Sequence, residues 1–464
     1  MRVATAPREA TAGEPRRLTG WGRAPASVGT VRRVTTREEV EAALHEAPRR
    51  GVVARGLGRS YGDLAQNGGG LVLDLTGLAA VVELDTATGV AVVEAGCSLS
   101  HLLELAVPEG WFLPVTPGTQ HVTVGGAIAC DVHGKNHHRD GAFGRFVRSL
   151  TLLAPTGEVL RLDPEGTPAE LDATLGGLGL TGIVLEAELQ LHPIETATMR
   201  VDVERARDFD DAFARLERGD ESYRYSVSWV DCRSRGRRFG RAVLMRGDHA
   251  TRAELDERRR ADPLARGAGR ALPVPPWASV SPLLRGPAGE AFNELYYRRA
   301  RDQRGLLQGI DPFFYPLDAL QDWNRLYGRS GFLQYQFVVP FGHETTVVRI
   351  AELLRRSAPT LAVLKRFGPE SGPLSFPVPG WTLALDLPLP SPGLAALLDR
   401  ADELVVEAGG RVYLAKDARL RPELLEAMVP RLPEWRETQA RLDPEGLMQG
   451  DLARRLGLAR RRDA

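Results

Sequence analysis

The run Val52-Val-Ala-Arg-Gly-Leu-Gly-Arg-Ser-Tyr-Gly-Asp63 constrains this chain most: a short β-branched stretch runs straight into three glycines within seven positions. Glycine lets the main chain turn tightly and present consecutive N–H groups, a nest that suits a diphosphate. The run differs from the dinucleotide fingerprint that opens a helix, because Asp63-Leu-Ala-Gln-Asn-Gly-Gly-Gly70 follows and is poorly suited to one. Taken alone, it reads equally as a structural Gly-rich turn. A second cluster, Thr116-Pro-Gly-Thr119 then Val122-Thr-Val-Gly-Gly-Ala-Ile-Ala129, repeats the theme. Pro117-Gly118 signals a turn. Gly125-Gly126 permits close approach of a ligand, and Ala127 to Cys130 read as the first turn of a helix whose N-terminus favours an anion. A packed turn–helix join is the alternative. Two such anion nests in one domain are less easily read as plain structural turns than one.

Around these clusters the pattern is mixed. Thr30–Val34 reads as a strand, and Thr36-Arg-Glu-Glu39 is a capping-box pattern opening a helix through Ala47. Leu71–Leu75 and Val90–Glu94 are strands, Ser98 caps a helix Leu99–Val107, and 182–191 alternates as a strand with one wet face. Beyond residue 195 the strand candidates Tyr225–Val230, Val243–Met245, Phe332–Val339 and Trp381–Leu387 are well spaced, with helices such as Thr345–Arg356 between them. That spacing predicts a mostly antiparallel sheet with helices on one face. The division expected is a disordered lead at 1–17, a first domain at 18–195, a second at 196–408, and a C-terminal segment at 409–464. Residues 247–290, rich in Arg, Pro, Gly and Ala, read as a mobile insertion.

Bulk properties exclude several classes. With 464 residues, two or three domains are expected. Lys plus Arg (60) balance Asp plus Glu (60), so no global field draws the chain to nucleic acid. Cys97, Cys130 and Cys232 lack the spacing of a disulfide framework or a zinc site. No signal-peptide pattern and no apolar run of about eighteen residues is present, so a cytoplasmic or membrane-peripheral protein is expected. In Asp131-Val-His-Gly-Lys-Asn-His-His138 no carboxylate pattern accompanies the histidines, and no metal is assigned. Lys416, in Tyr413-Leu-Ala-Lys-Asp417 after the strand-like Gly410-Arg-Val412, is either a surface lysine or one retained to serve a charge.

Taken together, Gly56–Gly62, Pro117–Thr119 with Val122–Gly126, and Cys130–His138 resemble the flavin domain of the decaprenylphosphoryl-β-D-ribose oxidases, the flavin subunits of an actinobacterial epimerase that makes decaprenylphosphoryl arabinose. Phe332-Leu-Gln-Tyr-Gln-Phe-Val-Val-Pro340 and Tyr413-Leu-Ala-Lys-Asp-Ala-Arg419 resemble the same family, so the resemblance spans roughly residues 18–450. It implies an α+β fold: a two-part FAD-binding domain of the vanillyl-alcohol-oxidase (PCMH) type, and a substrate domain with an antiparallel sheet covered by helices. It places FAD against Ala54, Arg55, Gly56, Leu57, Gly58, Arg59, Ser60, Tyr61, Gly62, Asp63 and Leu64, then Gly118, Thr123, Val124, Gly125, Gly126, Cys130, Asp131, Val132 and His133, with Ile183 and Tyr413 completing the site. Tyr61 stands where covalent relatives carry a histidine, which implies dissociable FAD.

The same resemblance makes Lys416 the active-site lysine, supporting the anionic reduced flavin. It sets Lys135, Trp229, Gln334, Gln336, Lys365, Thr382 and Ala384 around a sugar-phosphate. His133 is the titratable candidate for the base, and a structural role for it stays equally open. The family commonly shows Trp-Asn-x-Cys where this chain has Trp381-Thr-Leu-Ala384, so the cysteine alkylated by nitroaromatic inhibitors is replaced by Ala384. The implied reaction oxidises the ribose C2′ hydroxyl, and an NAD(P)H-dependent short-chain reductase partner completes the epimerisation. Two rivals stay open: a soluble alditol or aldonolactone oxidase of the same fold, and a flavin-binding protein without turnover. A bilayer contact through Trp277 and Leu283-Leu284 of the 247–290 insertion stands beside a plain surface loop.

Overall fold

The computed structural model describes residues 13–267, 271–275 and 286–458. A four-stranded sheet comes first, ordered Glu14–Thr19, Ala26–Arg33, Leu71–Asp74, Val52–Arg55. Its outer hairpin is antiparallel and its other pairs are parallel. The helix Arg37–His45 crosses over from this sheet, with Val40, Ala43 and Leu44 buried. Thr36 caps it by accepting from Glu39 N, while the Glu39 carboxylate reaches Thr35 N rather than the cap residue. The helix stops two residues short of the expected Ala47.

A five-stranded antiparallel sheet follows, ordered Val81–Asp85, Val90–Glu94, Ile183–Gln190, Val147–Leu153, Val159–Leu162. Ser98 caps the helix Leu99–Ala106, whose apolar face lies in the core of this sheet. An eight-stranded antiparallel sheet forms the rest, ordered Gln303–Gly309, Thr198–Ala206, Ala242–His249, Tyr225–Val230, Leu361–Phe367, Gly380–Pro388, Phe332–Pro340, Arg411–Val412. Among the described residues no helix is long and apolar enough to cross a membrane.

The period of two along these strands decides what faces where. Tyr335, Phe337, Val339, Trp381, Leu383, Leu385, Ala362 and Leu364 share a core with the helices Phe209–Gly219, Glu344–Leu354 and Leu394–Glu407. Their neighbours Gln334, Gln336, Thr382, Ala384, Asp386 and Lys365 alternate to the other face. The register pairs Gln334 with Asp386, Gln336 with Ala384, and Lys365 with Thr382. One face of the sheet is thus apolar under helices, and the other carries a polar set in fixed rows.

Four expectations need correction. Glu14–Arg17 are not a disordered lead; they pair with residues 28–31, held by main-chain bonds that their charged side chains do not announce. Residues 247–249 belong to the large sheet rather than to an insertion, and Gly247 is needed there because a Cβ would sit 2.4 Å from Arg200 O. Further on, Glu257–Ala261 and Pro287–Arg299 are helical; Trp277 and Leu283-Leu284 lie outside the described residues. The helix in the second glycine cluster runs Val124–Ala129, so Cys130 ends it rather than sitting in its first turn. Lys416, in the turn after the strand Arg411–Val412, is recessed rather than the surface lysine that was one of its two readings.

Candidate active site

The first glycine loop leaves the strand Val52–Arg55 and is shaped from beneath by Arg55. That guanidinium donates to Ala65 O (2.7 Å) and Thr19 O (2.9 Å), and Gly58, at φ 64°, rides against it. Arg55 is therefore spent on one carbonyl beyond the loop's glycines and one at the end of the first strand. Asp63 likewise turns to Arg455, whose Nη2 and Nε lie 2.8 and 3.0 Å away, and Leu64 packs into the core. What remains of the loop faces two partners. A Cβ on Gly56 would stand 2.2 Å from Thr123 Oγ1, so the two glycine clusters meet there. A Cβ on Gly62 would stand 1.8 Å from Asp417 O, and Tyr61 N donates to Ala415 O at 3.1 Å. The loop is thereby stitched to the turn that carries Lys416.

In the second cluster, Thr123 caps the helix Val124–Ala129 by accepting from Gly126 N at 3.2 Å. Gly125 packs on Ala95, and around Gly118 a Cβ would meet nothing within 4 Å. Beyond the helix, Asp131 takes φ 37° and accepts from Gly144 N at 2.7 Å. Burial raises its carboxyl to about 6 and the Cys130 thiol to about 12, so that thiol stays neutral. Tyr413 donates to Cys130 O at 2.9 Å, and Ile183 is fully buried at the start of its strand. The histidine pair separates: His137 Nδ1 accepts from Gly368 N, while His138 Nε2 meets Asp220 O and Tyr223 O.

The polar rows of the large sheet close the site. His133 lies between Lys365, whose Nζ is 2.9 Å from Nδ1, and Gln336, whose Nε2 is 3.1 Å from Nε2. Phe367, Phe376 and Tyr413 surround the ring. Burial, then Lys365, Lys416 and His137, push its pKa well below the ordinary histidine value. Gln336 also reaches Thr382 Oγ1, and that hydroxyl donates to Phe337 O. One row along, Gln334 donates to Asp386 at 2.5 Å, and Tyr327 donates to the same carboxylate at 3.4 Å. Burial raises Asp386 to about 6.

Three recessed lysines share this space. Desolvation lowers Lys416 and Lys135 to about 8 each, with Asp386 opposing the shift at Lys416. Lys365 is lowered well below its ordinary value by desolvation, then by Lys416 and Lys135. Lys416 Nζ stands 5.4 Å from the Tyr61 ring centroid and 5.9 Å from that of Tyr413. Lys135 donates to Phe314 O at 3.1 Å. Trp229 stands on the same sheet face, with two strands between its own and that of Gln336, its ring tilted against Tyr296 with centroids 4.8 Å apart.

The sequence reading missed Asp386 and Tyr327. Asp386 left a signal, a lone carboxylate on the site-facing phase of Leu383-Ala-Leu-Asp-Leu387. Tyr327 left none, because it arrives from a 3-10 turn far away in sequence.

These residues fit a dinucleotide. Two main-chain nests touch at Gly56 and Thr123, Gly118 leaves clearance, and Ser60 Oγ and Arg59 Nε are buried without a protein partner. Nearby stand three lysines against one carboxylate, and Lys135 and Lys416 supply positive charge suited to anions.

Comparison with known proteins agrees. A family described as FAD binding domain matches residues 29–163. Decaprenylphosphoryl-β-D-ribose oxidase of Mycolicibacterium smegmatis is 43% identical over 454 residues, covering 96% of this chain and 98% of the relative. L-Gulono-1,4-lactone dehydrogenase of Mycobacterium tuberculosis is 32% identical over 166 residues, covering 35% of this chain and 38% of the relative. A D-arabinono-1,4-lactone oxidase assigned in Neurospora crassa is 31% identical over 169 residues, covering 36% and 29%. The two lactone enzymes match only part of the chain; the Mycolicibacterium protein matches nearly all of it.

Proposed function

Because the chain belongs to the decaprenylphosphoryl-β-D-ribose oxidase family of FAD-binding oxidoreductases, we propose that it oxidises the C2′ hydroxyl of decaprenylphosphoryl-β-D-ribose to the 2′-keto sugar. The observation that carries this reading is the meeting of two diphosphate-type nests with a polar sheet face on which Lys365 stands close to Lys135 and Lys416. FAD, when bound, supplies the two-electron acceptor for the hydride of the carbinol C–H.

The protein's own residues divide the remaining work. Main-chain donors of 56–62 and the 123–126 helix start hold the diphosphate, with Gly118 giving clearance. Ala54, Leu57, Arg59, Ser60, Tyr61, Cys130, Val132, Ile183 and Tyr413 enclose the rest of the cofactor. Tyr61 offers no histidyl nitrogen for a covalent link, so FAD is held non-covalently. Arg55 and Asp63 act on loop shape through Ala65 and Arg455. Lys416, as an ammonium, stabilises the negative charge that reduction creates. Lys135 offers a point charge to the substrate phosphate, while Lys365, Gln334, Gln336, Trp229, Thr382 and Ala384 line the sugar. His133 fits the structural reading better than the base, since both ring nitrogens are engaged and its basicity is depressed.

This reading divides the chain into an FAD-binding part at 18–195, a substrate part at 196–408 and a returning segment from 409. The C-terminal segment ties the parts together: Met448 bridges Val52, and Arg455 spans Asp63 and Asp417. The 2′-keto product calls for an NAD(P)H-dependent reductase partner. The test is anaerobic mixing with a prenyl-phosphoribose and, separately, with free alditols. Rapid loss of flavin colour with the first alone supports the reading. Bleaching by alditols alone favours a soluble-polyol oxidase, and no bleaching by any alcohol favours a flavoprotein without turnover.

A further inference from the structure

The side chains of the sugar-facing wall form a chain of hydrogen bonds whose directions are set from one end. Thr382 has a single hydroxyl proton, and it points at the carbonyl of Phe337, 2.8 Å away. Towards Gln336, whose Nε2 lies 3.0 Å away, the hydroxyl is left only to accept. That same nitrogen lies 3.1 Å from His133 Nε2. An amide NH2 donates two protons and accepts none, so one goes to Thr382 and the other to the imidazole. His133 Nε2 is then an acceptor, and the one proton of the neutral ring stands on Nδ1. Nδ1 is 2.9 Å from Lys365 Nζ. Two donors cannot share that gap, so the lysine nitrogen must accept there, which only the free amine does.

The surroundings of Lys365 agree with this direction. The charges acting on it are those of Lys416, from the C-terminal turn, and Lys135, from the 133–138 loop. The one carboxylate on this wall, Asp386, acts on Lys416 instead. Of the other titratable groups facing His133, His137 has its own pKa lowered to about 3 by burial and Tyr413 is raised well above its ordinary value by burial, so neither adds negative charge. Gln336 Oε1 is left buried without a partner, an acceptor held for a ligand hydroxyl.

We propose that Thr382 is a positioning residue which, through the Gln336 amide, fixes the His133 ring proton on Nδ1 and so holds Lys365 as an unprotonated amine, the proton acceptor for the alcohol oxidised at this site. In that step the Lys365 amine turns its one lone pair, which at rest accepts from His133 Nδ1–H, towards the alcohol O–H and takes that proton, becoming an ammonium that no longer faces Nδ1–H. The carbinol C–H breaks to leave a ketone, and FAD, when bound, would take the hydride. The last clause of the proposal rests on the oxidation described above; the hydrogen-bond directions do not. The sequence string Trp381-Thr-Leu-Ala384 then marks not only a missing cysteine but a different way of fixing the wall.

The experiment uses the FAD-loaded protein with its histidine rings labelled with nitrogen-15. Two-bond nitrogen–proton spectra distinguish the tautomers, and a His133→Gln variant identifies the signal among nine histidines. The expected result is a neutral ring protonated on Nδ1 in the parent. In Thr382→Val the amide is free to turn and the proton moves to Nε2, while Thr382→Ser restores the parent pattern. An Nε2-protonated or cationic ring in the parent, or no change in Thr382→Val, overturns the proposal.

A second arm follows anaerobic bleaching against pH. Lys365→Met should slow it by about 10² to 10⁴. Thr382→Val should slow it by roughly tenfold with little change in KM, and should move the acid limb to higher pH, because Nδ1 now accepts from a protonated Lys365. A parent profile without an acid limb removes Lys365 as the acceptor. Absence of bleaching with every alcohol would instead break the oxidation reading, leaving the ring spectra to decide the hydrogen-bond chain.

Discussion

The two parts of the proposed site, one for nucleotide and one for sugar, are built in opposite ways. The nucleotide half uses main chain: glycines within a few residues of one another expose N–H groups, and its charged side chains, Arg55 and Asp63, turn away to Ala65, Thr19 and Arg455. The sugar wall uses side chains: Gln334, Gln336, Lys365, Thr382 and Asp386 stand on three adjacent strands in rows set by register. A backbone nest tolerates most side-chain changes except at its glycines. A side-chain wall depends on each member, because its partners are buried and fixed in direction.

The variants that test this contrast differ in size. Replacing Lys416 with alanine should leave FAD bound but slow substrate-driven bleaching by about 10² to 10³, the loss typical of a preorganised electrostatic contact. Stopped-flow absorbance checks it, and undiminished bleaching would take Lys416 out of the active site. Gly56→Val should weaken FAD binding by about 5- to 150-fold, since overpacking against Thr123 costs about 1–3 kcal/mol. Equilibrium titration of the flavin reads this, and unchanged affinity would part the two nests.

A smaller effect is expected from pH. Lys416 carries its charge below about 8 and loses it as pH rises through that value, so bleaching should decline on the alkaline side. In Lys416→Arg, whose charge persists, that alkaline limb should vanish, and a limb that survives assigns it elsewhere. The smallest effect is a null one. With Ala384 in place, nitroaromatic compounds that alkylate the family's cysteine should cause no time-dependent inactivation. Ala384→Cys should create it, and irreversible loss of activity in the parent chain would show another nucleophile in reach.

The same contrast explains what was legible in the sequence. The glycine clusters could be read directly, because a turn that needs glycine is a local demand. The antiparallel sheet was also visible in its period of two, and Tyr225–Val230 runs as expected. The wall was harder. That Gln336 meets His133, or Gln334 meets Asp386, depends on pairing between residues 203 and 52 positions apart, which no short window contains. The edge hairpin at Glu14–Thr19 was hidden for a related reason, since main-chain pairing holds it without an apolar pattern. The missing cysteine at Ala384 was plain in the string, but the role of Thr382 emerged only once its hydroxyl was seen against Phe337 O.

The most direct test of the central claim, that two touching glycine clusters hold FAD without a covalent bond, is the visible spectrum of the purified protein before and after acid precipitation. The expected result is a yellow protein, or one turned yellow by added FAD, that releases all of its colour into the acid supernatant. A colourless protein that refuses FAD, or a yellow pellet that keeps its flavin, would contradict it.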